Sequence, residues 1–137
     1  MERLYQRIVS AEKALSSFQQ LVVLNNPNDV ERDASIQRFE FSFEACWKAA
    51  KQYLNDIEGI DVPSPKGVIR SLRETSILTA EETIAGLTMV NDRNLTVHTY
   101  NEEVAIKIHS HLEEYYQLLV TMIERMKEKI SLTTDKD

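Results

Sequence analysis

The chain has 137 residues and a mass of 15.8 kDa, 42% hydrophobic and 28% charged, which suffices for one buried core and excludes a large multidomain enzyme. Three glycines and three prolines are too few for a loop-rich β sandwich or a disordered linker, so helices are the default expectation. Sixteen basic residues against twenty-two acidic ones give a net charge of −6, a field that repels nucleic acid at long range and makes any phosphate-binding site a local one.

Leu4, Ile8, Ala11, Leu15, Phe18 and Val22 recur every three or four residues, the period of an amphipathic helix, and predict a first helix over about 3–25. Asn25-Asn26-Pro27-Asn28 ends it, because proline lacks an amide hydrogen and disfavours helical geometry in the residue before it. Asn28 or Asp29 then caps the next helix. Arg38-Phe-Glu-Phe-Ser-Phe-Glu alternates like a strand, yet Ile36, Phe39, Phe43, Cys46, Trp47, Ala50, Tyr53, Leu54 and Ile57 fall on one arc at roughly 100° per residue. The longer window decides for a second helix over about 30–58, ended by Gly59 in the left-handed C-terminal position. Phe41 projects from the opposite face, toward either a partner surface or another helix of the same bundle.

Ser64-Pro65 reads as a cap and first helical position, opening a short third helix with Val68, Ile69 and Leu72 inward. Thr79 followed by Glu82 is a capping box for a fourth helix, with Ile84, Leu87 and Val90 on one side and an end near Asn91-Asp92. Asn101 caps a last helix of about 28 residues, whose stripe is Val104, Ile108, Leu112, Tyr115, Leu119, Met122 and Met126. The predicted fold is all-α, an up-and-down antiparallel four-helix-type bundle with one extra short helix. One domain is expected over residues 1–130, followed by a frayed tail at 131–137. Trp47, Phe39, Phe43, Leu15, Phe18, Leu112 and Tyr115 occupy the central turns of the long stripes and are expected to be buried together.

Cys46 cannot close an intramolecular disulfide, and MERLYQRIVS has no apolar run of signal-peptide length, so a reducing cytoplasmic setting is expected. No stretch approaches the ~18 uninterrupted apolar residues of a membrane span. There is no glycine-rich phosphate loop and no Cys/His set with metal-ligand spacing, so no metal or cofactor is expected. His109 and His111, two apart on a helix, point about 200° away from each other and cannot grip one ion. Lys66, Arg70 and Arg73, spaced four and three, form the one basic concentration evident along the chain, near Lys48 and Lys51 in sequence. They read either as phosphate contacts or as a solvated face trimmed by an Arg70–Glu74 pair.

Asp92-Arg93-Asn94-Leu95-Thr96-Val97-His98-Thr99-Tyr100-Asn101 gathers Arg, Asn, His and Tyr at the join of two helices, where side chains are less committed to packing. Metal-free RNA cleavage needs a base for the 2′-hydroxyl proton, an acid for the leaving oxygen and a cation on the charged phosphorane. His98 supplies proton transfer near neutral pH and Arg93 a fixed, forked positive charge. A single chain has one such histidine, which two-fold pairing would double. The competing reading is a plain helix join, with Arg93 paired to Asp92 or a nearby glutamate and His98 bonded to a carbonyl.

Arg93, four residues, then His98-Thr99-Tyr100 resembles the R-x4-H-x-Y motif of HEPN domains. Together with Arg38 to Lys48 and Ser64-Pro65 through Arg70, the segment Asp92 to Tyr100 resembles the nucleotidyltransferase substrate-binding-protein family, also described as HepT-like toxins, over about residues 3–130. The resemblance implies a helical bundle that forms a homodimer and works beside a separately encoded minimal nucleotidyltransferase. It further implies a metal-independent ribonuclease site shared across the dimer, with Arg93 and His98 catalytic and Asn94 as the supporting polar residue. Tyr100 would be the acceptor onto which the partner places a nucleotide. The same resemblance allows a quieter role, a non-catalytic subunit that supplies part of a substrate cleft to the nucleotidyltransferase.

Overall fold

Local sequence devices set most helix starts. Asn28 accepts the Glu31 amide at 2.8 Å while the Glu31 carboxylate accepts the Asn28 amide at 3.0 Å, opening the second helix with a reciprocal cap. Thr79 and Glu82 repeat the arrangement at 3.1 and 2.9 Å, and Ser64 caps a helix whose first residue is Pro65. The computed structural model describes residues 1–134, with helices α1 (Glu2–Val22), α2 (Asp29–Glu58), α3 (Pro65–Glu74), α4 (Ala80–Leu95), α5 (Glu102–His109) and α6 (Leu112–Thr134). A 3₁₀ turn, Thr96–His98, joins α4 toward α5, and there is no strand among the described residues. α2 ends as expected at Gly59, whose φ of 68° is left-handed.

Contacts between helices give the topology. Arg38 donates to the Ser17 carbonyl at 2.7 Å and Ser42 to that of Ala14 at 3.2 Å, so α1 and α2 are antiparallel. Phe18 meets Tyr116 and Glu12 meets Lys127, so α6 runs against α1. Asp92 meets Tyr115 and Glu82 meets Arg125, so α4 runs against α6. α1, α2, α4 and α6 therefore make the up-and-down antiparallel bundle, and α3 is the extra short helix, packed on α4 through Ile69 and Gly86. Leu15, Phe18, Phe39, Phe43, Leu112 and Tyr115 share its core, where the Phe39 ring stacks on Tyr115 at 5.4 Å.

Several details depart from the sequence reading. Trp47 is only half-buried, because its indole N–H donates to Glu44 Oε2 at 3.1 Å and holds the ring at the rim of the core. Ile84 is exposed, and the inward face of α4 is instead Thr83, Gly86, Met89, Val90 and Asp92. α4 does not end at Asn91-Asp92 but at Leu95, since buried Asp92 accepts a hydrogen bond from the Tyr115 hydroxyl at 2.5 Å and so tolerates the interior. The single last helix is two, broken at Ser110-His111, where the Ser110 hydroxyl bonds back to the Lys107 carbonyl at 2.6 Å. α6 also continues through Thr134, into the segment expected to fray, while residues 135–137 lie outside the described residues.

Candidate functional site

The segment singled out in the sequence turns the chain from α4 into α5. Arg93 lies in the last turn of α4, and its carbonyl accepts the Thr96 hydroxyl at 2.7 Å, which tightens the helix end into the 3₁₀ turn. The His98 carbonyl accepts the Asn101 amide at 3.0 Å, and the Asn101 side chain in turn accepts the amides of Glu103 and Val104, starting α5. Successive turns thus fix the backbone on either side of His98 while leaving its ring, and the 84% exposed Tyr100, in solvent.

Two side-chain groups result. In the first, Arg93 Nη2 donates to Glu44 Oε2 at 3.0 Å, and the guanidinium carbon lies 5.6 Å from the centre of the Phe43 ring. Glu44 also accepts the Trp47 indole N–H and pairs with Lys48 at 3.2 Å. Partial burial raises the Glu44 carboxyl's pKa, but hydrogen bonds from Trp47 and Lys48 and the charges of Lys48 and Arg93 outweigh this and hold it below the ordinary value. In the second group, His98 Nδ1 and the Tyr100 hydroxyl are 3.3 Å apart with the rings edge to face. Asn94, next to Arg93 in the last turn of α4, is exposed.

Beneath them Asp92 anchors the segment to α6 through Tyr115, whose phenol is pushed up in pKa by burial and by its bond to that carboxylate. Sequence reasoning does not identify Glu44 and Asp92 as site residues. The clue to Glu44 lies in its spacing of four from Lys48 on α2, but its partner Arg93 is 49 residues away and only the fold unites them. Arg93 pairs with Glu44 rather than with Asp92, and His98 faces a hydroxyl rather than a carbonyl.

On α3, Lys66 is half-buried while Arg70 and Arg73 are exposed, and none of the three forms an ion pair among the described residues, including the expected Arg70–Glu74 pair. α3 is not the one basic concentration in the chain, because Arg3 and Arg7 of α1 come together with Lys48 and Lys51 across a groove. His109 is partly buried, and burial, then the charge of Arg32, lowers its pKa, while His111 pairs with Glu114 at 3.8 Å. Among the described residues no group of three or more His, Cys, Asp or Glu side chains is arranged to hold a metal ion, and no helix is long and apolar enough to cross a membrane. Cys46 is buried, and desolvation pushes its thiol far up in pKa, as suits a structural side chain.

The molecule is an all-helical bundle in which Arg-x4-His-x-Tyr runs from the last turn of α4 into an exposed interhelical turn. The chain belongs to the family described as nucleotidyltransferase substrate binding protein like, which it matches over residues 6–128. It is 51% identical to a Thermus thermophilus protein of known crystal structure, with a TM-score of 0.83 over 85% of this chain and 98% of that one. It also shares its fold, at 21% identity and a TM-score of 0.75, with a Haemophilus influenzae protein whose structure reveals the fold of a substrate binding domain of a nucleotidyltransferase; 88% of this chain and 98% of that one are covered. A third similar structure is the tri-AMPylated HEPN toxin of Shewanella oneidensis in complex with its MNT antitoxin, at 19% identity and a TM-score of 0.62 over 87% and 95% of the two chains. No curated protein sequence matches the chain.

Proposed function

We propose that this protein is the HEPN-type toxin subunit of a pair completed by a minimal nucleotidyltransferase, and that it cleaves RNA without a metal ion at a site containing Arg93 and His98. The observation that carries the reading is the exposed turn on which His98 and Tyr100 face each other at 3.3 Å, directly after the helical turn that holds Arg93. In the reaction the 2′-hydroxyl oxygen bonds to the adjacent phosphorus as its proton passes to an imidazole. The bond from phosphorus to the 5′-oxygen breaks, and that oxygen takes a proton from a second, protonated imidazole. Arg93 stabilises the charge on the phosphorane. One His98 per chain is one proton carrier short, so a homodimer brings its second copy to the same cleft. Exposed Val97 and Ile106 beside the turn give such a contact apolar surface to bury.

Tyr100 is the acceptor for the partner's nucleotide. Its hydroxyl is accessible, and a phosphodiester there brings negative charge and bulk beside His98 and toward Arg93, which excludes an RNA phosphate without altering the fold. The AMPylated state of the Shewanella oneidensis HEPN toxin, a protein of similar fold, supports nucleotide transfer onto a subunit of this kind. Purified protein freed of modification should cut RNA in the presence of EDTA, and His98→Ala should not. With the nucleotidyltransferase, ATP and Mg²⁺, peptide mapping should find the adduct on Tyr100 and none in Tyr100→Phe.

A second reading is favoured by the Arg93–Glu44 pair, which already engages the guanidinium within the chain. It makes the protein a non-catalytic subunit that contributes a substrate-binding surface to the nucleotidyltransferase. Failure of the unmodified wild-type protein to cut any RNA in a broad screen decides for it.

A further inference from the structure

A groove of about 420 Å³ lies between the first turns of α1 and the C-terminal half of α2, lined by Arg3, Arg7, Trp47, Lys48 and Lys51 with Asp61 as its carboxylate. Four cations against one carboxylate is a marked excess in a chain of net charge −6. Arg3, Arg7 and Lys51 have no ion-pair partner among the described residues. Arg7 is half-buried, and its Nε–H finds no acceptor among the described residues, so its guanidinium is not committed to a partner within the fold. Trp47, the one tryptophan of the sequence, is half-buried, which leaves part of its indole available to the groove.

The groove is continuous with the candidate site. Glu44, Lys48 and Lys51, spaced four and three, lie on one face of α2 over roughly 10 Å of helix. Glu44 Oε2 accepts from both the Trp47 indole and Arg93, at 3.1 and 3.0 Å, while its other oxygen pairs with Lys48. One carboxylate thus joins the groove's aromatic, one of its cations and the proposed catalytic arginine.

Resting on the ribonuclease reading for the chemistry at Arg93 and His98, we propose that this groove binds the single-stranded RNA flanking the cleaved phosphate, with Arg3, Arg7, Lys48 and Lys51 against backbone phosphates and Trp47 stacked on a base. A cationic groove with an aromatic platform suits a single strand, because every base has a π face and every linkage carries a charge. Spread cations along a helix face suit a repeating backbone better than one compact phosphate group. The net charge of −6 disfavours binding of RNA away from such local cationic surfaces.

The sole tryptophan makes the idea directly measurable. A 12-nucleotide single-stranded RNA is titrated into full-length His98→Ala protein, which leaves the RNA intact, and Trp47 emission is followed across a salt series. Saturable quenching is expected. Arg3→Gln and Lys51→Gln, each added to that background, should weaken binding severalfold and each lower the log–log salt slope by about 0.7. In the otherwise wild-type chain the same two substitutions should raise KM severalfold with kcat retained, and circular dichroism should show an unchanged fold. If RNA binds without quenching and with an unchanged slope in both variants, while His98→Ala still abolishes cleavage, the groove is ruled out and the ribonuclease reading stands. Groove-dependent binding by a wild-type chain that cuts nothing does the reverse. Equal quenching by a mononucleotide, or loss of the nucleotidyltransferase partner rather than of RNA in the variants, also overturns the proposal.

Discussion

Arg93 and His98 are supported in very different ways, and that difference predicts how each tolerates removal. Arg93 packs over Phe43 and pairs with Glu44, contacts worth about 0.5–1 kcal/mol each at half-exposed positions, so Arg93→Ala should cost roughly 1 kcal/mol of stability as well as cleavage. His98 is exposed and its ring hydrogen-bonds with Tyr100, itself exposed, so His98→Ala should abolish cleavage with stability unchanged to within about 0.5 kcal/mol by urea denaturation. A large loss of stability in His98→Ala would make it a structural residue. Glu44 adds a pH dependence. Its folded pKa lies below the ordinary value of 4.5, so its stabilising contribution is complete above that value and disappears as pH falls through the folded one. The Tm gap between wild type and Glu44→Gln should therefore be widest near neutrality and close in acid. The proposed site residues Arg93, His98 and Tyr100 can be picked out in the sequence because they lie within eight residues of one another; Glu44 escapes because its pairing with Arg93 is long-range.

At the scale of the elements, capping chemistry is legible and tertiary exceptions are not. Asn28, Ser64, Thr79 and Asn101 all cap as their sequence context indicates, since a cap depends on residues within one turn. The break at Ser110-His111 is hidden because Ile108, Leu112 and Tyr115 keep helical spacing across it and no glycine or proline marks it. Apolar periodicity turns Ile84 inward on α4 because it counts side chains alone, whereas the contact with α3 is made by Gly86, a residue with no side chain to count. A Cβ on Gly86 would stand 2.9 Å from Cγ2 of Ile69, itself buried, and so would force the two helices apart. Gly86→Ala gains up to about 1 kcal/mol of helix propensity, but overpacking costs about 1–3 kcal/mol, so net destabilisation of roughly 1 kcal/mol is expected from denaturant titration. An unchanged or raised midpoint would mean that α3 shifts freely on α4.

For the whole molecule the apolar stripes foretell the core, apart from Trp47. Phe39 is fully buried among Phe18, Phe43 and Tyr115, so Phe39→Ala should cost about 3–5 kcal/mol. Trp47→Ala should cost clearly less, since part of that ring already meets solvent, and equal losses by thermal denaturation would contradict the rim position. Assembly is harder to read, because a stripe specifies which side chains leave water and not which molecule covers them. Phe41 is 60% exposed on the face of α2 toward α1, beside Ser17 and Arg38, whereas Val97 is 73% exposed on the turn that carries His98. A two-fold contact that unites two copies of His98 must bury the second surface, since an isologous interface repeats the same patch on both chains. Light scattering at micromolar concentration should give a dimer mass, and Val97→Asp should yield a monomer that no longer cuts RNA, because an aspartate in each copy would be desolvated opposite its twin. Phe41→Asp should remain a dimer. The opposite pattern would move the interface to the α1–α2 face, separate the two sites, and require each chain to work with a single histidine.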